Sequence, residues 1–202
     1  MKSEMKREAA LDDYIKKAHG NAARALSDGG VWTELLRDVE DAFTRGGDTL
    51  KSTPGTVVGA FLAGSHSSWL AAANLALSAH LAESFQPLRS CLESAFYGYH
   101  IRVDSSAWDR WSKRPTVEKI DADAARKNDL TRLRRDVGRE FSVTTIAKSL
   151  GESDKRLSER AVRLYDELID YGAHFNFPVL DRAYNKLGPP EDLFSSEIKI
   201  LI

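Results

Sequence analysis

Apolar positions in this 202-residue chain recur at spacings of three and four along much of its length. That is the period of an α-helix with one face turned to a core. Leu11, Tyr14 and Ile15 seed a first helix. Trp32, Leu35, Leu36, Val39 and Phe43 follow the same spacing in a second, with Gly29-Gly30 interrupting between the two and Gly46-Gly47 ending the second. Over 51–103 charge nearly disappears: Lys51, Glu83, Arg89, Glu93 and Arg102 are the charged positions. Residues 57–82 read as one long helix, apolar or small all round, of the kind that is normally central.

Pro87 interrupts this pattern, because proline lacks the amide hydrogen and disfavours helix at Gln86. The reading places a break over 83–85, with Ser84 as N-cap and Pro87 in the first turn of the next helix. A kinked continuous helix is the alternative. Residues 104–115 look like a connection with a short helical turn, and 116–140 are charge-rich and weakly patterned. Residues 143–150 and 154–174 read as two helices divided by Gly151. In the second of these, Leu157, Ala161, Leu164, Leu168 and Tyr171 form the apolar face, opposite Arg163, Glu167, Asp170 and His174. The tail ends on Ile198-Lys199-Ile200-Leu201-Ile202, a strand-like alternation with no polar terminus, as expected if the native protein continues. The expected fold is all-α, a bundle of about six helices with a short C-terminal strand. It divides into an N-terminal helical segment over 1–50, a core bundle over 51–180 and a tail over 181–202.

Composition narrows the class. A single cysteine, Cys91, excludes an internal disulfide framework and fits a reducing compartment. The first residues are charged where a signal peptide needs an apolar run. The most apolar stretch, 69–82, is shorter than a membrane span and carries Asn74 and His80. A formal net charge of -1 gives no general attraction to nucleic acid or anionic lipid. A cytoplasmic protein with no membrane partner is expected.

Candidate chemistry concentrates on one helix face. Arg89, Glu93, Tyr97 and His100 are spaced by 4, 4 and 3 residues, which keeps them within roughly 80° of one another. Gln86 joins the stripe, and Leu88, Cys91, Leu92, Ala95, Phe96 and Tyr99 lie opposite. Two readings stay open. One is a polar network that locks a half-buried helix to its neighbour. The other is a ligand-facing row in which Arg89 binds an anion and Glu93 or His100 moves a proton. A second cluster, Asp170-Tyr171-Gly172-Ala173-His174-Phe175-Asn176, sets Asp170 one turn before His174, an arrangement that orients an imidazole as an acid or base. The same residues also suit a helix end. Glu93, His100 and His174 are therefore the candidate catalytic residues, and Arg89, Tyr97, Asp170, Tyr171 and Asn176 the candidate binding residues. The Glu-x-x-His pairs of helical di-iron bundles are missing, and neither metal nor cofactor is expected. His66 and His80 read as hydrogen-bonded core histidines, and Cys91 as inert packing.

Two features lean toward nucleic acid. Arg126, Lys127, Arg132, Arg134, Arg135 and Arg139 outnumber the acids among them, which is a solvated face unless folding gathers it against phosphates. The run Thr145-Ile146-Ala147-Lys148-Ser149-Leu150-Gly151-Glu152-Ser153, followed by Leu157, resembles a helix-turn-helix, although Glu152 and Arg160 stand where that motif is usually apolar.

Arg89-x-x-x-Glu93 with Tyr97, joined to 169–176, resembles a group of uncharacterised bacterial helical proteins. In that group an Arg-x-x-x-Glu helix is followed much later by Tyr/Phe-Gly-Ala-His-Pro-Asn. Here Phe175 stands in place of the proline. More remotely the chain resembles HEPN-like helical domains, some of which are ribonucleases or components of toxin and phage-defence systems, but no arginine precedes His100 or His174 at their signature spacing. The resemblance covers about 88–176 and implies a helical bundle. The expected function is a helical binding or interaction module with a polar cleft. Its partner would be a second copy (a homodimer), another protein or an anionic ligand. The alternatives are a HEPN-like enzyme acting on RNA or a phosphorylated substrate, and a helix-turn-helix DNA-binding regulator.

Overall fold

The structure, a computed structural model, describes residues 2–51, 57–123 and 125–172. Among them there are nine helices and no strand: α1 (Lys2–Asp28), α2 (Val31–Lys51), α3 (Val57–Leu77), α4 (Leu81–Val103), α5 (Ala107–Ser112), α6 (Val117–Ala122), α7 (Lys127–Glu140), α8 (Val143–Ser153) and α9 (Lys155–Gly172). The all-α class stands, and the count of about six is corrected. The three extra helices fall in 104–140. α5 and α6 have six residues each, and α7 buries only Leu130 and Val137 among fourteen mostly charged positions. Two apolar residues one heptad apart are a faint signal, yet they suffice for one helix face. The strand expected at the C-terminus lies outside the described residues.

Local chemistry explains the turns. Gly29 and Gly30 have φ of 66° and 108°, and Thr33 reaches back from α2 to donate its hydroxyl to the Ala25 carbonyl at 3.1 Å. Gly46 and Gly47, by contrast, do not end α2, which continues to Lys51. Between α3 and α4 the break falls at 78–80, before the expected 83–85. The His80 amide bonds the Leu75 carbonyl at 2.8 Å and the Ala79 amide bonds the Ala76 carbonyl at 3.1 Å, which is the Schellman pattern. Its left-handed position holds Ala79, at φ 73°, in place of the customary glycine. With no glycine or proline to announce it, this stop was invisible to periodicity. Ser84 is not an N-cap: it is buried in the first turn of α4, donating to the Leu81 carbonyl at 2.6 Å. Pro87 sits inside α4, and the carbonyl its missing amide would have engaged belongs to Glu83, which is exposed to water.

The described residues form two compact units, one of 2–45, 67–89 and 167–172, the other of 46–51, 57–66, 90–123 and 125–166. In the second unit, Phe96, Val143, Ile146 and Ala147 form one cluster, with Leu92, Leu150, Ala161, Val162 and Tyr165 packed against it. Ile101, Ala107, Val137 and Phe141 form another, with Phe61, Tyr97 and Trp111 around it. In the first unit the buried described residues are small or polar (Thr33, Ala72, Ser78 and Ser84) apart from Leu168. α3 is not covered all round. Ala60, Ala63, Gly64, Ser67, Ala71 and Asn74 lie exposed along one side of it, whereas between Ser84 and Ile101 of α4 only Gln86 and Ala95 are exposed. The enclosed helix is α4.

Left-handed backbone costs an L-residue about 1–2 kcal/mol, of which the looser unfolded chain of a glycine gives part back. Ala79→Gly is therefore expected to stabilise the protein by about 0.5–1 kcal/mol, seen as a raised midpoint in urea unfolding with unchanged slope.

Candidate functional site

The residues of the candidate stripe are half-buried, as a polar row on an enclosed helix must be. Arg89 belongs to the first unit, and Glu93, Tyr97 and His100 to the second. Glu93 Oε1 accepts a hydrogen bond from the Tyr165 hydroxyl of α9 at 2.8 Å. Tyr97 stands in an aromatic group, its ring centroid 5.1 Å from Trp111, 5.7 Å from Phe141 and 6.0 Å from Phe61. Gly98 makes room for this packing, since a Cβ there would lie 3.1 Å from that of Phe61. His100 meets the same Phe141 ring edge-on at 5.0 Å. Tyr97 and His100 thus come together around Phe141, while Glu93 turns to α9.

The most connected polar group is one the sequence did not disclose. Glu140, at the end of α7, accepts from His100 Nε2 at 2.9 Å, from Arg110 Nε at 2.9 Å and from Arg110 Nη2 at 2.6 Å. An ionised carboxylate only accepts, so His100 must carry its proton on Nε2. Arg110 also donates from Nη2 to Asp104 at 2.6 Å and from Nη1 to the Ser106 hydroxyl at 2.6 Å. Ser106 in turn donates its hydroxyl to Asp104 at 2.6 Å. One guanidinium and one imidazole are shared between two carboxylates, which ties α4, α5 and α7 together. Side-chain exposure is 17% for His100 and 23% for Glu140, so water weakens this pairing only in part.

These partners set the acidities. Hydrogen bonding from Arg110 holds the Glu140 carboxyl below its usual range against the opposing effect of burial. Hydrogen bonds from Ser106 and Arg110 bring Asp104 down to about 2. The Cys91 thiol is pushed up by burial, and its sulfur lies 3.2 Å from the Ser65 hydroxyl. A thiol kept protonated is a poor nucleophile.

Of the second cluster, Asp170 is exposed and Tyr171 half-buried, with its ring 5.9 Å from Phe85. His174 and Asn176 lie outside the described residues. His80 is not in α3 but in the link after it, where Nε2 lies 2.8 Å from the Tyr14 hydroxyl. Among the described residues no group of three or more His, Cys, Asp or Glu is placed to hold a metal ion, and no helix is long and apolar enough to cross a membrane. Sequence reasoning missed Glu140, Arg110 and Asp104 because they sit in the weakly patterned stretch. Asp104-x-Ser106 ahead of α5 was the one local signal, a turn in which the carboxylate receives the amide two residues on.

Carboxyls held below their ordinary pKa contribute stability that is fully present above that ordinary range, and the contribution fades as pH falls through the depressed values. Thermal stability should therefore drop steeply as pH falls from about 4 toward 2. Glu140→Gln should lower stability at neutral pH by about 1–2 kcal/mol, through loss of the charge-assisted bonds, and flatten the acid limb. Melting curves from pH 7 to 2 on both proteins check this. An unchanged acid limb would show that the network does not carry it.

Compared with protein-family models, with curated proteins and with solved structures, the chain gives no match.

Proposed function

We propose that this protein is a cytoplasmic helical interaction module that self-associates through α1 and α2. The observation that carries this reading is the imbalance of the first unit. Its one large buried apolar side chain among the described residues is Leu168, while Leu11, Tyr14, Ile15, Leu26, Val31, Trp32 and Leu35 are exposed on α1 and α2. Trp32 is 77% exposed and Val31 71%. Single exposed apolar residues are ordinary, but seven large ones on two successive helices, in a unit with so little enclosed, are a surface for a partner to cover. Large aromatic side chains in such a set tend to dominate binding. A face of this kind is self-complementary in a twofold dimer, where the same patch serves both copies.

The stripe on α4 supports the same reading from the other side. An enzyme of HEPN-like kind, with Arg89 as anion clamp and Glu93 or His100 as proton carrier, needs those groups turned to a substrate. Glu93 is instead engaged by Tyr165, and His100 Nε2 by Glu140. A single cysteine, the half-buried Cys91, fits a reducing cytoplasm.

Sedimentation velocity over a range of concentrations tests the proposal. A reversible dimer is expected, and Trp32→Glu or Leu35→Glu should each weaken it by at least about thirtyfold without changing the helical circular dichroism. A monomer at every concentration, or a dimer indifferent to both substitutions, would overturn it.

A further inference from the structure

The basic stretches noted in the sequence are largely balanced within the fold. Gly151 lies within α8 and Asp154 alone divides it from α9, so the turn comes three residues later than the helix-turn-helix likeness places it. Ser158, Ala161, Val162 and Tyr165 face inward from α9, with the Ser158 hydroxyl donating to the Ala147 carbonyl at 2.6 Å. Leu157 and Leu164, expected on the apolar face, are exposed. α8 and α9 carry as many acids as bases. On α7, Arg132 and Arg135 both approach Asp136, at 3.7 and 4.0 Å. Arg114, in the link between α5 and α6, is in a different position.

Arg114 is half-buried, and its Nε is shut off from solvent with no hydrogen-bond partner, the one buried side-chain nitrogen or oxygen left so among the described residues. Its guanidinium makes no ion pair among them. The guanidinium carbon lies 5.6 Å from the centre of the Trp111 ring, and Nη2 lies 3.6 Å from where a Cβ of Gly138 would stand. Nε and Nη2 share the edge of a guanidinium that grips an oxyanion side-on. Arg110, four residues earlier, turns that edge to the Glu140 carboxylate. Arg114 has Nη2 against Gly138, two residues before Glu140, where α7 carries no side chain. Arg134, one turn before Gly138, is half-buried as well. Its Nη1 donates to the Pro115 carbonyl at 2.9 Å, an uncharged partner, and it makes no ion pair among the described residues. Lys127, Thr131, Arg134 and Gly138 lie within about 60° of one another on α7, and no acid of that helix falls between them. Lys127 is paired with Asp121 at 3.3 Å. Glu118 is the acid that feels Arg134, but its carboxyl is held below the usual range first by its own amide and the Thr116 hydroxyl.

We propose that Arg114 and Arg134 form a phosphate-binding site, in which Arg114 turns its Nε–Nη2 edge away from Trp111 and Gly138 onto the phosphate oxygens and Arg134 adds a second positive charge. No hydrogen bond holds the Arg114 guanidinium where it lies. A buried donor without a partner is costly, so the turn removes a penalty and gains charge-assisted bonds at once. Two guanidiniums match the charge of about −1.5 to −2 on a phosphate group near pH 7, whereas a carboxylate brings a single charge. Inorganic phosphate and a phosphomonoester present the same chemistry to this pair.

Isothermal titration calorimetry on the full chain at fixed ionic strength, with inorganic phosphate, phenyl phosphate and acetate, tests this. Both phosphates are expected to bind, and acetate at least about tenfold more weakly. Tighter binding of phenyl phosphate would mark the occupant as an attached phosphate, and tighter binding of inorganic phosphate as the free ion; either upholds the site. Arg114→Lys, which keeps the charge but loses the fork, and Arg134→Ala should each weaken phosphate binding by at least about tenfold. Arg132→Ala should leave it unchanged. Gly138→Asp supplies a carboxylate where Arg114 lacks one, so it should abolish phosphate binding and melt about 2–4 °C above Gly138→Asn, which has the same shape without the charge. Melting curves establish that each variant is folded. No phosphate binding, acetate binding as tightly, an unchanged affinity in Arg114→Lys, or equal midpoints for the two Gly138 variants would overturn the proposal. None of these groups belongs to α1 or α2, so Trp32→Glu should bind phosphate as the parent does, which keeps this result separate from that of the self-association.

Discussion

An enclosed helix that carries ionisable groups must bring each of them a partner, and α4 imposes that demand on the second unit. An unsatisfied buried polar group costs about 1–3 kcal/mol, more when charged. Tyr165 answers Glu93 from α9, and Glu140 answers His100 from α7. Glu140 in turn needs more than an imidazole, and Arg110 of α5 gives it two further donors. A six-residue helix such as α5 has no stability of its own. It is held at one end by this guanidinium and along its side by Trp111, whose ring lies 4.6 Å from that of Phe141. The aromatic group and the polar group share Phe141, which adjoins Glu140 in sequence, so a shift of α7 disturbs both.

Helix periodicity was legible wherever apolar residues were dense. α1, α2, α4, α8 and α9 could be read from Leu11, Trp32, Phe96, Ile146 and Leu168 with their neighbours. Three things were hidden. Ala79 ends α3 in a conformation for which glycine is the usual signal, so the stop rests on tertiary contacts such as the Tyr14–His80 pair. α7 carries too few apolar residues to announce itself. The inward face of α9 depends on where its preceding turn falls, and a displaced turn rotates every position after it by a fixed angle. Leu157 and Leu164 were assigned inward because they are apolar at helical spacing with Ala161 and Leu168, whereas the enclosed row also takes in Ser158 and Tyr165. The site was half legible: the stripe on α4 could be seen from spacing alone, but its partners lie between 14 residues (Tyr97 to Trp111) and 72 residues (Glu93 to Tyr165) away, and no local pattern joins His100 to Glu140 or Glu93 to Tyr165.

The two units use their apolar residues in opposite ways, and this is what connects fold to function. In the second, Phe96, Ile101, Phe141 and Ile146 are enclosed. In the first, Trp32 and Val31 are the most exposed large apolar residues, beside a turn closed by the buried Thr33. The second unit thus has a core of large enclosed side chains even with Leu157 and Leu164 outward, whereas the first, with Leu168 as its one large buried apolar side chain among the described residues, leaves most of its large apolar side chains in water.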